Sequence, residues 1–177
     1  MKPRTATIIT MVVFAALTRL LPHPPNLTSV AAVALFAGAQ LPTLTAIAVP
    51  LAALFLSDLA LGLHPSMLLF YASVVIITLI GMALGPRITP VRVAAATLLG
   101  STSFFVVTNF GVWLFGGLYS HTLAGLSACF VAAIPFFQNM LAGDLLFSAL
   151  LFGGFYILSR MLPRLERPQD ATGRSVL

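Results

Sequence analysis

The feature that most constrains this chain is a succession of long apolar runs, each closed by proline, glycine or a charged residue. A soluble domain needs far more charge than this to cover its surface. With 59% hydrophobic and 7% charged residues and a mean hydropathy of +1.05, the 177 residues read as an all-α integral membrane protein. The expectation is six transmembrane helices in a single domain over residues 1–162, followed by a polar cytoplasmic tail over 163–177.

The expected spans are 5–21, 28–41, 43–62, 66–85, 91–115 and 138–159. The first resembles a secretory leader, with Lys2 and Arg4 before an apolar stretch. No small-x-small site closes it, however, and it runs into Arg19 and Pro22, so it is kept as a span. The second is rich in Ala and Gly, with Ala34 and Gly38 at small-xxx-small spacing and Asn26 or Thr28 as candidate caps. Pro50 predicts a kink in the third, and Gly81 and Gly85 repeat the small-residue spacing in the fourth. Residues 122–134 are apolar but short, which predicts an interfacial or re-entrant piece ended by Pro135, with Gln138 and Asn139 capping the last span.

Between the first two spans, residues 19–26 read RLLPHPPN. Three prolines in four residues cannot continue a helix, and they hold Arg19, His23 and Asn26 in a stiff connector. It is either a plain turn or one wall of a ligand site. The basic residues decide which side of the membrane it faces. With six spans, eight of the nine Lys and Arg residues (Lys2, Arg4, Arg87, Arg92, Arg160, Arg164, Arg167 and Arg174) share the side of the termini, which the positive-inside rule makes cytoplasmic.

Every histidine (His23, His64 and His121) then falls in an outward connector together with Arg19 and Asn26. Asp58, Asn109, Trp113, Asn139 and Asp144 sit toward the outer half of their spans. A charged Asp inside a membrane helix costs about 2.5–3.5 kcal/mol on insertion scales, so Asp58 and Asp144 need a partner, a proton or a wet cavity. Either Arg19 pairs with them to lock the packing, or all ten residues line one outward-opening cavity.

Other chemistry finds little support. The basic residues form no aromatic-interleaved face for nucleic acid, and Cys129, the one cysteine, excludes an internal disulfide. No zinc spacing, nucleophile elbow, zincin motif or phosphate loop occurs, so neither an enzyme nor a cofactor is expected. An intramembrane enzyme using His23 with Asp58 or Asp144 is one alternative. A non-catalytic assembly subunit of a membrane complex is the other.

Six spans in under 200 residues, outward loops built into the binding region and small-residue helix faces are similar to the substrate-binding S components of ECF-type vitamin transporters. Residues 19–26, followed by VAAVALFAG over 30–38, also resemble an uncharacterised bacterial membrane family with that fold. The resemblance implies a multi-pass protein of the bacterial cytoplasmic membrane that captures a vitamin-like small molecule from outside. Its partners would be the lipid bilayer, the substrate and, in most such proteins, a transmembrane subunit with paired ATPases.

The AxxxA pattern used for that docking is missing from the first span and falls instead at Ala48 and Ala52, which counts against the energy-coupling module as a partner. Solitary proteins of this kind include cobalamin transporters, so the resemblance points to a corrinoid, with His23 as a candidate axial cobalt ligand. The cobalamin type uses a cysteine there, and Cys129 does not match that position.

Overall fold

A computed structural model describes residues 2–18, 21, 22, 24, 26–62, 67–162 and 165. Among them the chain is all-helical. We number the helices α1 (Pro3–Leu17), α2 (Val30–Gln40), α3 (Thr43–Leu61), α4 (Met67–Ala83), α5 (Pro90–Phe115) and α6 (Leu123–Met161). Three of the six, α3, α5 and α6, contain stretches long and apolar enough to cross a membrane; α1, α2 and α4 are apolar but shorter.

The helices alternate in direction. Arg4 near the start of α1 bonds Gln40 at the end of α2, and Ser29 just before α2 bonds the Ala15 carbonyl near the end of α1. Asp58 late in α3 meets Tyr71 early in α4, and Ser101 of α5 meets Asp144 of α6. The start of α1, the α2–α3 turn, the α4–α5 loop and the end of α6 therefore share one end of the bundle. Lys2, Arg4, Arg87, Arg92 and Arg160, the basic residues among those described, all lie there.

α2 is the axis of the molecule. It touches all five other helices, and every residue from Ala31 to Ala39 is buried. A helix that is apolar all round must be enclosed all round. Its Ala-rich sequence allows this, because small side chains let backbones approach. The tightest approach is to α4, where a Cβ on Gly38 would strike the Thr78 carbonyl and one on Gly81 would strike the Leu35 carbonyl. Of the two small residues expected to act in α4, Gly81 makes this contact, while Gly85 lies beyond the helix with a φ of +58°.

At 11 residues, α2 rises only about 16 Å at 1.5 Å per residue, roughly half of a ~30 Å hydrocarbon core. Non-helical backbone leads into α2. Asn26 turns the chain with φ of 61°, and Thr28 N donates to its carbonyl at 3.0 Å. Leu27 and Thr28 then lie against Gly143 of α6. Neither Asn26 nor Thr28 caps α2 as expected; the N-cap residue is Ser29, whose hydroxyl is spent on Ala15 O at 2.6 Å.

The largest departure from the sequence reading is α6. Pro135 does not end a short segment, and Gln138 and Asn139 cap nothing. The helix is capped by Thr122, whose Oγ1 accepts from Gly125 N at 3.1 Å, and passes from Leu123 through Pro135 to Met161, with one π-helical stretch at Ala149–Gly153. Proline removes one backbone bond but fits a helix whose exposed side can bend around it; Pro135 and its neighbours Ile134 and Phe136 are exposed.

Candidate binding site

Asp144 is the most enclosed ionisable group of the α5–α6 interface, at 1% exposure. Its Oδ2 accepts from Ser101 Oγ at 2.7 Å. The carboxyl also faces the backbone N–H groups of Ala31 and Ala32, the second and third residues of α2. These N–H groups have no carbonyl partner within their own helix, so a carboxylate from another helix stands where a local cap would. Oδ1 makes no hydrogen bond of ordinary distance and angle among the described residues. The helix terminus therefore holds the carboxyl more by its field than by directed bonds.

One turn toward the basic end, Thr97 Oγ1 donates to Ser148 Oγ at 3.0 Å. Thr97 with Ser101, and Asp144 with Ser148, are each i and i+4, so two facing helices carry two stacked polar pairs. Thr97 and Ser148 in turn form part of the wall of a cleft of about 820 Å³. It lies where the first half of α5 and the last part of α6 diverge, and the π-helical stretch contributes Ala149, Phe152 and Gly153 to its wall. Insertions of this kind widen a helix locally and recur at functional sites.

The mouth of the cleft carries Arg4 and Gln40. Arg4 Nη1 donates to Gln40 O at 3.0 Å and Nη2 to Gln40 Oε1 at 2.6 Å, and its guanidinium stacks over Phe155 at 5.4 Å. Thr89, Tyr156 and Ser159 complete the polar lining, and Arg160 Nη2 donates to Tyr156 OH at 3.0 Å just outside. An apolar wall with a few fixed polar groups, in a cavity between 300 and 1,000 Å³, is the usual make-up of a small-molecule site.

Of the ten residues selected from the sequence, Arg19, His23 and His64 lie outside the described residues. The other seven do not line this cleft. Asp144 stands one turn above it. Asp58, also 1% exposed, accepts from Tyr71 OH at 2.9 Å between α3 and α4. A smaller void, lined by Ser57, Pro50, Val30 and Val74 among others but not by Asp58, holds about 20 Å³, room for a single water. Asn26 is exposed in its turn.

Asn109 spends its amide on Phe105 O at 2.8 Å and accepts at its backbone carbonyl from Cys129 Sγ at 3.5 Å. Eight residues separate it from Ser101, about 12 Å along α5. Trp113 Nε1 donates to Ser120 O at 2.9 Å, and its ring meets exposed His121 at 5.4 Å. These residues build the far tip of the α5–α6 hairpin, and Asn139 is half-buried partway down α6. Asp144 and the Asn109, Trp113 and His121 group thus stand at different levels.

Sequence reasoning missed Thr97, Ser101, Ser148, Gly153 and Tyr156. The signal available was the pair of i, i+4 polar spacings on two consecutive apolar helices.

The chain belongs to a family of unknown function, DUF6580. The family's sequence profile matches residues 1–165, and so takes in α1 to α6, the cleft and the Asp144 site. No curated protein and no solved structure matches the chain.

Proposed function

We propose that this DUF6580 protein is a six-span carrier of a bacterial cytoplasmic membrane, with both termini inside, that takes up a vitamin-like small molecule without chemical conversion. The observation that carries this reading is the 820 Å³ cleft at the basic end, which leads inward to paired hydroxyls and then to Asp144. The positive-inside rule makes that end cytoplasmic, so the described conformation is the one from which a ligand leaves. Leu27 and Thr28, which lead into α2 and lie against Gly143, close the far side of the Asp144 site.

Among the described residues the cleft lining contains no histidine, so a corrinoid held there would lack the axial ligand assigned to His23. The lining favours a smaller vitamin-like molecule held by hydroxyls, an amide and a guanidinium. The first helix lacks the docking pattern of the energy-coupling module, which supports a protein that works alone. The assembly-subunit alternative draws on the far arm of α5 and α6. There Phe105 packs on Phe130 and Phe137, only Gly111, Gly125 and Cys129 are buried between residues 105 and 139, and Phe110, Leu123, Val131 and Phe136 are exposed.

Gly153 offers the test, because it lines the cleft and a Cβ built there meets nothing within 4 Å. Gly153→Trp should fill part of the cleft, with an unchanged monodisperse peak in detergent as the check that the bundle is intact. Mass spectrometry of the protein as purified should find a small molecule on the wild type and a loss of about tenfold or more in its occupancy on the variant, roughly 1.4 kcal/mol. Equal occupancy would remove the cleft as the binding site. Stoichiometric copurification with another membrane protein, and no bound metabolite, would favour the assembly reading.

A further inference from the structure

We propose that Asp144 is a proton-binding site loaded from the basic end of the bundle through the cleft and the Thr97 and Ser148 hydroxyls; its link to transport rests on the uptake reading above. The carboxyl is 1% exposed, has one oxygen bonded to Ser101 and the other without a hydrogen bond among the described residues, and lies beyond a closed contact between Thr97 and Ser148. That contact must open for a solute to pass. A proton passes without it opening.

Each hydroxyl accepts one proton as it gives up its own, so it ends as it began. The net change is one O–H bond broken in a hydronium ion of the cleft solvent and one formed at Oδ1, leaving water in the cleft and a neutral carboxyl. One helical turn, about 5–6 Å, separates the two polar pairs, a gap that hydroxyl rotation or one water spans.

The surroundings favour a proton over a metal cation. On the facing turns of α2 and α5 the neighbours are Ala31, Ala32, Thr97 and Ser101, none of them ionisable. α2 presents the positive end of its dipole, which repels a bound cation but stabilises the carboxylate. On α6 itself the next polar residue is Ser148. Among the described residues the charged groups on other elements are Lys2, Arg4, Arg87 and Arg92 at the basic end, and Asp58, which is held by Tyr71 between α3 and α4. Leu27 and Thr28 of the connector lie against the adjacent Gly143. Neutralising Asp144 therefore loosens the hold on the start of α2 at the point where the connector enters the bundle.

The test is infrared difference spectroscopy of the full chain in lipid nanodiscs, titrated with acid and base and exchanged into D₂O, with no ligand present. A protonated-carboxyl band should titrate in the wild type and be missing from Asp144→Asn, and Asp144→Glu should retain it at a shifted position. In Thr97→Val/Ser148→Ala the band should persist while its hydrogen–deuterium exchange slows about tenfold or more.

A titrating band unaltered in both Asp144 variants, or no such band, overturns the proton site. Unchanged exchange in the double variant overturns the route through the cleft. Because no ligand takes part, these outcomes are independent of Gly153→Trp, whose failure would remove the uptake site and leave the proton site standing.

Discussion

Against α4, the central helix α2 packs backbone to backbone at Gly38 and Gly81. Against α6 it is met by the edges of Phe152 and Phe155 on Phe36, at 5.1 and 5.8 Å between ring centroids, and by the carboxyl of Asp144. The first contact has no slack. The second combines yielding aromatic edges with a charge that can be removed, and it borders the diverging ends of α5 and α6. One side of the molecule is thus built as a fixed frame, and the other as a place where something enters.

The largest effect should follow from breaking the frame. Gly81→Leu drives a side chain into the Leu35 carbonyl, which cannot rotate away, so the cost should reach or exceed the upper end of the 1–3 kcal/mol typical of overpacking. A large fall in Tm and loss of the monodisperse peak in detergent would register it. If Gly81→Leu behaved as wild type, the backbone contact between α2 and α4 would be wrong.

A smaller effect is expected from the open side. Ser101→Ala removes the side-chain hydrogen bond to Asp144, and a hydrogen bond to a charged group contributes about 1.5–3 kcal/mol. The chain should still fold, with Tm lowered by less than in Gly81→Leu. A fall as large as that of Gly81→Leu would make both sides structural and erase the contrast. Smaller again, Ser148→Ala should cost about 1 kcal/mol, since Thr97 can turn its hydroxyl to its own helix. Ligand occupancy should fall more clearly than Tm, because Ser148 faces the cleft.

Much of the frame could be read from sequence, because its signals are local. Proline, glycine and charge close the apolar runs, so α2 to α5 start and end within a few residues of their expected bounds. α6 was harder to read because the same residue type carries two meanings. Pro50 reads as a kink inside a span and Pro135 as an end, yet both lie inside helices; what separated them was only the shortness of the run before Pro135.

Asp144 stood out by its cost in a membrane. Its partner did not, since Ser101, Thr102 and Ser103 are chemically alike and only the phase of α5 decides which one faces inward; Ser101 is buried and Thr102 exposed. The cleft was illegible for a further reason. It lies beside the π-helical stretch at Ala149–Gly153, which lines it and has no residue signature of its own.

Access to position 153 is the most direct measure of the central claim. In a Cys129→Ser background, Gly153→Cys places a thiol in the cleft wall, and a membrane-impermeant maleimide can be offered from either side of oriented vesicles. Labelling should occur from the side that carries Arg87, Arg92 and Arg160 and slow when the copurified small molecule is added back. Labelling from the opposite side alone, or labelling by lipid-soluble reagents only, would contradict that claim.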